Sequence, residues 1–298
     1  MPTPNRNAWL LQGIGALVLI SLVALLAFNL QVNLQRTGLG LGFGWLGQAA
    51  GFALGEHVVP YSPSDSYGWA LVVGLTNSLR VIVVGLLLAT VVGVSVGAAS
   101  YSTNLLFRKL AFAYVALLRN VPLLLQLLFW YFVVLLSLPG TPLAPLGSLI
   151  SLSRQGIHLA GLELSTEFCA LLTGLTLYTG ATIAEVVRGG ISSVPSGQWD
   201  AYRSLGMHEW LGLRHVVLPQ AVPAILPGLA SQYINLAKNS TLAIAVGYAD
   251  LYAVSDTTIT QTGRAIEGFL LLLGGFLLID LVISALMTAL SRLVSWRR

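Results

Sequence analysis

Apolar residues run in long unbroken blocks, and the blocks have the length that crosses a bilayer. About 20 apolar residues in helical form span a hydrocarbon core. The pattern predicts six spans: the uncharged run Trp9–Leu30, then Gly68–Ala99, Leu110–Leu138, Glu167–Val187, a stretch from Gln220 that fades around Tyr248, and Gly268–Leu290. In lipid the backbone amides have no water to bond, so a spanning run must be a helix or a strand of a closed barrel. These runs do not alternate as barrel strands do. The expectation is an all-α integral membrane protein with about six transmembrane helices. Trp9–Leu30 is too long for a signal-peptide core, and no small-residue cleavage site follows it, which predicts a retained span.

Three segments interrupt the pattern. Arg36–Asp65 carries Gly38, Gly40, Gly42, Gly44 and Gly47 in close succession and reads as an outer or interfacial segment. Pro139–Leu162 reads as a second outer loop. Arg188–Pro219 is the most polar stretch between two spans. A short link would join two helices, so a long ordered one points to a docking surface.

Composition narrows the class. Of 298 residues, 56% are hydrophobic and 9% charged, against roughly 25% charged in a typical soluble domain. Eleven acidic and 15 basic residues cannot cover a water-facing surface, and disorder requires low hydrophobicity. The basic residues also set an orientation. With the N-terminus inside, Arg6, Arg108, Lys109, Arg188, Arg203, Arg214, Arg292, Arg297 and Arg298 face the cytoplasm, and only Arg36, Arg154 and Arg264 face outward. The net charge of +4 therefore belongs to topology and not to nucleic acid. The lone Cys169 excludes an intrachain disulfide, and His57, His158, His208 and His215 show no ligand spacing, so no metal site is expected.

Within Arg188–Pro219, Pro195 ends the preceding element, Ser196 suits a helix N-cap, Asp200 falls in the first turns, and Gly206 suits the helix stop. A short helix lying across one end of the bundle is expected. The spacing then carries a resemblance. Asp200-Ala201-Tyr202, three residues, Gly206, nine residues, Val216, one residue and Leu218-Pro219 resemble the EAA loop of the permease subunits of binding-protein-dependent ABC importers. Asp200 stands for the usual Glu, Tyr202 for the second Ala and Val216 for Ile. Gly74–Leu79, Arg119–Gln126, Glu185–Ile191 and Lys238–Leu242 are similar to segments of the polar-amino-acid branch. The resemblance covers about Tyr67–Arg298, a five-helix importer core. The extra N-terminal span, the Gly-rich segment and Phe129–Phe132 resemble the general L-amino-acid permeases.

The resemblance implies a type I importer permease in two parts: residues 1–66, an extra helix and outer segment, and 67–298, the core with coupling loop 188–219. It implies a bacterial inner-membrane protein with both termini cytoplasmic. The implied partners are cytoplasmic ATP-binding subunits, which hold ATP and Mg, a second permease, favoured as a different chain over a second copy, and a periplasmic amino-acid-binding protein. The resemblance also implies that this chain binds no cofactor and is not catalytic. It contains no Gly-x-x-x-x-Gly-Lys-[Ser/Thr] phosphate loop. Asp200, Ala201, Arg203, Leu205 and Gly206 are the expected ATPase-coupling residues.

A charge at the bilayer centre costs about 2.5–3.5 kcal/mol on insertion scales, so Arg80, Arg119, Glu185, Lys238, Asp250 and Asp280 each need a reason. Arg119 and Lys238 are candidates to meet a cargo carboxylate, with Asn120, Gln126, Asn239, Ser240 and Thr241 beside them. The competing reading is that such groups satisfy one another between helices. Glu185 and Arg188, at i and i+3, read as a structural pair steering the loop. Gly93 and Gly97 permit close helix approach, and Pro219, Pro223 and Pro227 share a helix face and can kink it. Trp130, Tyr131 and Trp296 read as interfacial. The alternative function is an ion-coupled secondary transporter of small polar solutes, which would call for repeated halves that the sequence lacks.

Overall fold

The computed structural model describes residues 6–37, 41–144, 150–159 and 161–295. Trp296, Arg297 and Arg298, and the side chains of Arg6 and Arg36, lie outside what is described. Two compact units are present, one ending at Trp45 and one covering Leu46–Arg298. The first is helix α1, Arg6–Thr37, whose described apolar side chains from Trp9 to Phe28 are exposed along its length.

The second unit is built around α5, Thr166–Ser192. Ser165 caps it, its hydroxyl accepting from the Phe168 amide at 3.0 Å. Helix α2, Tyr67–Ala99, lies along α5 and is capped by Ser66 in the same way. Their approach depends on small residues. A Cβ added at Gly93 would sit 2.4 Å from Ile183, and one at Gly97 2.7 Å from Val187. This is the close approach expected of that glycine pair.

The third expected span is broken. Helix α3, Leu105–Asn120, and α4, Leu123–Leu128, which continues as a π-helix over Phe129–Leu135, meet at 103°. Pro122 lacks an amide hydrogen and holds Val121 extended, so the helix stops inside an apolar block. The loop that follows contains structure too: β1 (Ile150–Ser153), β2 (Gly156–Leu159) and β3 (Leu162–Ser165) form an antiparallel sheet in the order β1-β2-β3. The fold is helical as expected, with this sheet added.

After α5 come α6 (Ser196–Ser204), α7 (Glu209–Gly212), a π-turn at Leu213–Val217, and α8 (Leu218–Asn239). Helix α8 continues through Pro223 and Pro227, passes into a 3-10 turn at Ser240–Val246, and ends at Gly247, whose φ of +80° suits glycine. Helices α9 (Leu251–Thr262) and α10 (Ala265–Ser295) complete the chain.

Among the described residues, α1, α2, α5 and α10 are long and apolar enough to cross a membrane, and the bent α3–α4 pair makes a fifth. Helix α8 occupies the remaining predicted span, but three prolines with Gln220, Gln232, Asn235 and Lys238 leave it more polar than the others.

The core has two centres. One gathers Ile183, Val187, Ile191, Tyr202, Val217, Ile225 and Met287, the other Val81, Leu127, Phe168, Leu175, Val246 and Tyr248. Helix α5 has 27 residues and so spans about 40 Å. It separates the end carrying α6 and α7 from the end carrying the sheet.

Candidate functional site: the loop between α5 and α8

The chain leaves α5 at Ser192 and turns at Pro195 into α6. Pro195 occupies the cap position with no side-chain cap bond, and Ser196 is the first helical residue. The expectation that Ser196 caps the helix is corrected, because the rigid φ of Pro195 already sets the entry. Gly206 ends the segment as expected. Its φ is +68°, its amide donates to Arg203 O at 2.9 Å, and the Met207 amide donates to Tyr202 O at 3.1 Å. His208 then caps α7, Nδ1 accepting from the Trp210 amide at 3.3 Å.

One residue fastens the loop. Tyr202 is 1% exposed and belongs to the core. Its ring lies so close to Gly212 that an added Cβ would be 2.3 Å away. Its hydroxyl donates to Glu209 Oε2 at 2.6 Å, and Arg203 Nε donates to Oε1 of the same carboxylate at 2.8 Å. These bonds, that of Arg203 first, hold the Glu209 carboxyl below its usual range. Burial above all, then the Glu209 carboxylate, raises the Tyr202 phenol. Tyr101, just beyond α2, stacks on Trp199 at 5.6 Å and donates to Arg188 O at 3.0 Å. The loop is thereby held to α2, α5 and α8 as a rigid piece.

Around Tyr202, most of α6 and the turn that follows it are open to solvent. Asp200, Ala201, Arg203, Leu205 and Gly206 are all exposed, Leu205 at 79%. Trp210 and Leu211 are exposed beside them. A Cβ at Gly206 would meet nothing within 4 Å. The five expected coupling residues are therefore all exposed in this chain.

The intramembrane candidates fall into separate groups. Arg119, in the last turn of α3, lies 3.6 Å from Glu185 on α5. Glu185 also takes two bonds from Arg188, at 2.8 and 3.1 Å, which is the expected pair. Lys238 lies 3.7 Å from Asp280 on α10. Asp280 Oδ1 is buried and, among the described residues, without a hydrogen-bond partner. No ion pair or hydrogen bond joins these groups among the described residues.

Gln126 is buried, and its amide donates to Leu118 O and Val121 O at 2.8 and 2.9 Å. It satisfies carbonyls freed by the bend. Asn120, Ser240 and Thr241 each bond a carbonyl of their own helix or turn. Asn239 is the last residue of α8. Tyr131 donates to Glu167 at 3.0 Å. Asp250 caps α9 by accepting from the Ala253 amide at 2.8 Å.

Sequence reasoning missed the inner half of the loop. The signal for Glu209 was an acid placed to meet Tyr202 and Arg203 once Gly206 turns the chain. It also missed Glu56, whose carboxylate accepts from Arg80 and from Ser165. Glu56 lies outside every span, where an acid asks for no explanation.

Residues 82–296 match the family described as binding-protein-dependent transport system inner membrane component. The chain belongs to this family. It is the membrane component of a transport system, non-catalytic, with ATP hydrolysis in a separate subunit. It is 32% identical to the putative amino-acid ABC transporter permease protein YhdX of Escherichia coli (strain K12), covering 98% of this chain and 95% of the relative. That alignment runs over 373 positions, more than this chain has, so the relative carries segments that are absent here. It is 34% identical to the general L-amino acid transport system permease protein AapQ of Rhizobium johnstonii, covering 90% and 87%. Among solved structures, an amino acid ABC transporter with histidines superposes with a TM-score of 0.60 at 26% identity, over 76% of this chain and 94% of that one. An inward-facing MetNI methionine ABC transporter shares the fold, with a TM-score of 0.58 at 20% identity.

Proposed function

We propose that this chain is the permease of an ATP-driven importer of polar and general L-amino acids in the bacterial inner membrane. Loop 188–219 is its joint to the cytoplasmic ATPases. The observation that carries the reading is that Tyr202 of α6 is anchored in the core while its neighbours Asp200, Ala201, Arg203, Leu205 and Gly206 are exposed. A surface built this way transmits a push without deforming. ATP binding closes the ATPase pair, α6 moves with it, and α5 and α8 carry the motion to the spans. Both termini lie in the cytoplasm, by the distribution of Lys and Arg.

A periplasmic binding protein delivers the amino acid at the end that carries the sheet. A second permease, a different chain, completes the path. Arg119 and Lys238, with side chains 48% and 61% exposed, are the candidates to meet the cargo carboxylate on that path. A zwitterion needs one cation and one anion. The Lys238–Asp280 pair offers both, and the buried Asp280 Oδ1 has no hydrogen-bond partner among the described residues. The amino-acid class is supported by the relatives over nearly the whole chain.

The test is uptake of radiolabelled L-amino acids into proteoliposomes that hold this chain with its ATPase, its partner permease and the binding protein. The expected result is ATP-dependent uptake that several polar L-amino acids compete for. Uptake driven by a sodium or proton gradient without ATP would return the ion-coupled alternative.

A further inference from the structure

At the end of the bundle opposite the loop, residues 46–66 fold back along α2 as an irregular strap. Its base is set by Ala50 N to Asp65 O at 2.7 Å and Gly51 N to Pro63 O at 2.8 Å. Farther along, Trp69 Nε1 donates to Pro60 O at 3.0 Å. At the tip, Asn77 holds both chain directions: Val58 N donates to its Oδ1 at 3.2 Å, and its Nδ2 donates to Glu56 O at 2.9 Å and to Ala249 O at 2.7 Å. The Glu56 side chain thus reaches inward about three turns past the start of α2.

Both carboxylate oxygens of Glu56 have a dedicated donor. Arg80 Nη1 donates to Oε1 and Ser165 Oγ to Oε2. The Arg80 guanidinium lies over the Phe168 ring, 4.1 Å from its centroid, and Phe168 packs on Tyr248 at 5.9 Å. Flat stacking and a fixed fork of donors make arginine suited to reading carboxylates. The donors stand on rigid elements: Arg80 inside α2, Ser165 at the cap of α5, Phe168 in its first turn. The carboxylate comes from the irregular strap. An ion pair needed only to neutralise Arg80 would not require a second donor or an aromatic platform.

We propose that Arg80, Ser165 and Phe168 form a carboxylate-binding site that Glu56 fills as an internal stand-in, and that the α-carboxylate of an amino acid displaces Glu56 on entry. The inference rests on the amino-acid reading above. It makes the strap a gate that opens to carboxylates and stays shut to neutral solutes.

The test uses the assembled transporter in detergent, titrated with L-glutamine and L-alanine and with their α-amides, which lack the carboxylate. Glu56→Gln keeps the size of the side chain and removes its charge. It should bind the two amino acids at least tenfold more tightly than the native complex and leave the amides unchanged. Adding Arg80→Met should abolish the gain. No gain, an equal gain for the amides, or a gain that survives Arg80→Met overturns the site.

The native complex gives a second readout that needs no variant. Saturating L-glutamine or L-alanine should speed hydrogen exchange of the Val58 amide about tenfold, and the amides should not. Unchanged Val58 exchange also overturns the proposal. Uptake is measured alongside. Uptake without displacement sinks this inference alone, whereas absence of uptake of any amino acid sinks the importer reading on which it stands.

Discussion

Replacing Gly212 by Ala attacks the fastening of the loop while leaving its exposed face untouched. The new Cβ would lie 2.3, 2.4 and 2.7 Å from Cδ2, Cε2 and Cγ of Tyr202. Carbon atoms pack at about 3.5–4.0 Å, so the ring must retreat by more than about 1 Å. A ring that is 1% exposed has no free space to take. Overpacking of this kind costs about 1–3 kcal/mol, and losing the bond to the Glu209 carboxylate adds about 1.5–3 kcal/mol. The melting temperature of the purified chain should fall, by roughly 2–4 °C for each kcal/mol in a domain of this size.

The specific prediction is a rescue. Tyr202→Ala alone leaves a cavity and costs about 3–5 kcal/mol. In the double variant the ring that obstructs the new methyl group is gone. The two costs should therefore fall short of additive by about 1–3 kcal/mol in a double-mutant cycle. Additivity within about 0.5 kcal/mol would show that Gly212 and Tyr202 do not meet, and the reasoning about a rigid α6 would fail with it.

Gln126→Leu removes two bonds to carbonyls released at the bend and should cost about 1–3 kcal/mol, with a broader spread of spin-label distances between α3 and α4; an unchanged distribution would mean that Pro122 holds the bend alone. The Glu209 carboxyl is depressed in the folded loop, so its contribution is complete above the ordinary glutamate range and is lost as pH falls through the depressed value. Hydrogen-exchange protection in residues 196–212, taken relative to the intrinsic amide rate at each pH, should accordingly hold at neutral pH and fall only in acid, and Glu209→Gln should show the acid behaviour at pH 7. Lys238→Ala leaves Asp280 without its cation and should lower both abundance and uptake; adding Asp280→Asn should restore abundance but not uptake, and recovery of both would make the pair purely structural.

The helical blocks could be read from the sequence because lipid removes every alternative for a long apolar run. What such a block hides is its own interruption. Pro122 follows Arg119 and Asn120, whose polarity marked the place as one needing a reason but did not disclose the 103° break. The sheet was available as the alternation Ile150-Ser-Leu-Ser and Leu162-Glu-Leu-Ser, but four-residue strands give too few positions to register against the Pro and Gly around them. The five residues expected to couple the loop to an ATPase are exposed in the structure. The half-buried Glu209 was not foreseen, since contacts made through a turn at Gly206 depend on the turn's geometry. Charges inside the spans were rightly singled out. Their partners Glu56 and Asp280 come from distant segments, and one sequence holds no signal of that pairing.

The central claim is that α6 couples this chain to ATP hydrolysis, and Leu205→Asp tests it most directly. Leu205 is 79% exposed and takes no part in the core, so the variant should insert and melt as the native chain does. In the reconstituted complex the account predicts that amino-acid uptake falls more than tenfold, with ATP hydrolysis no longer stimulated by the loaded binding protein. Native uptake and native stimulation by the Leu205→Asp complex would contradict it.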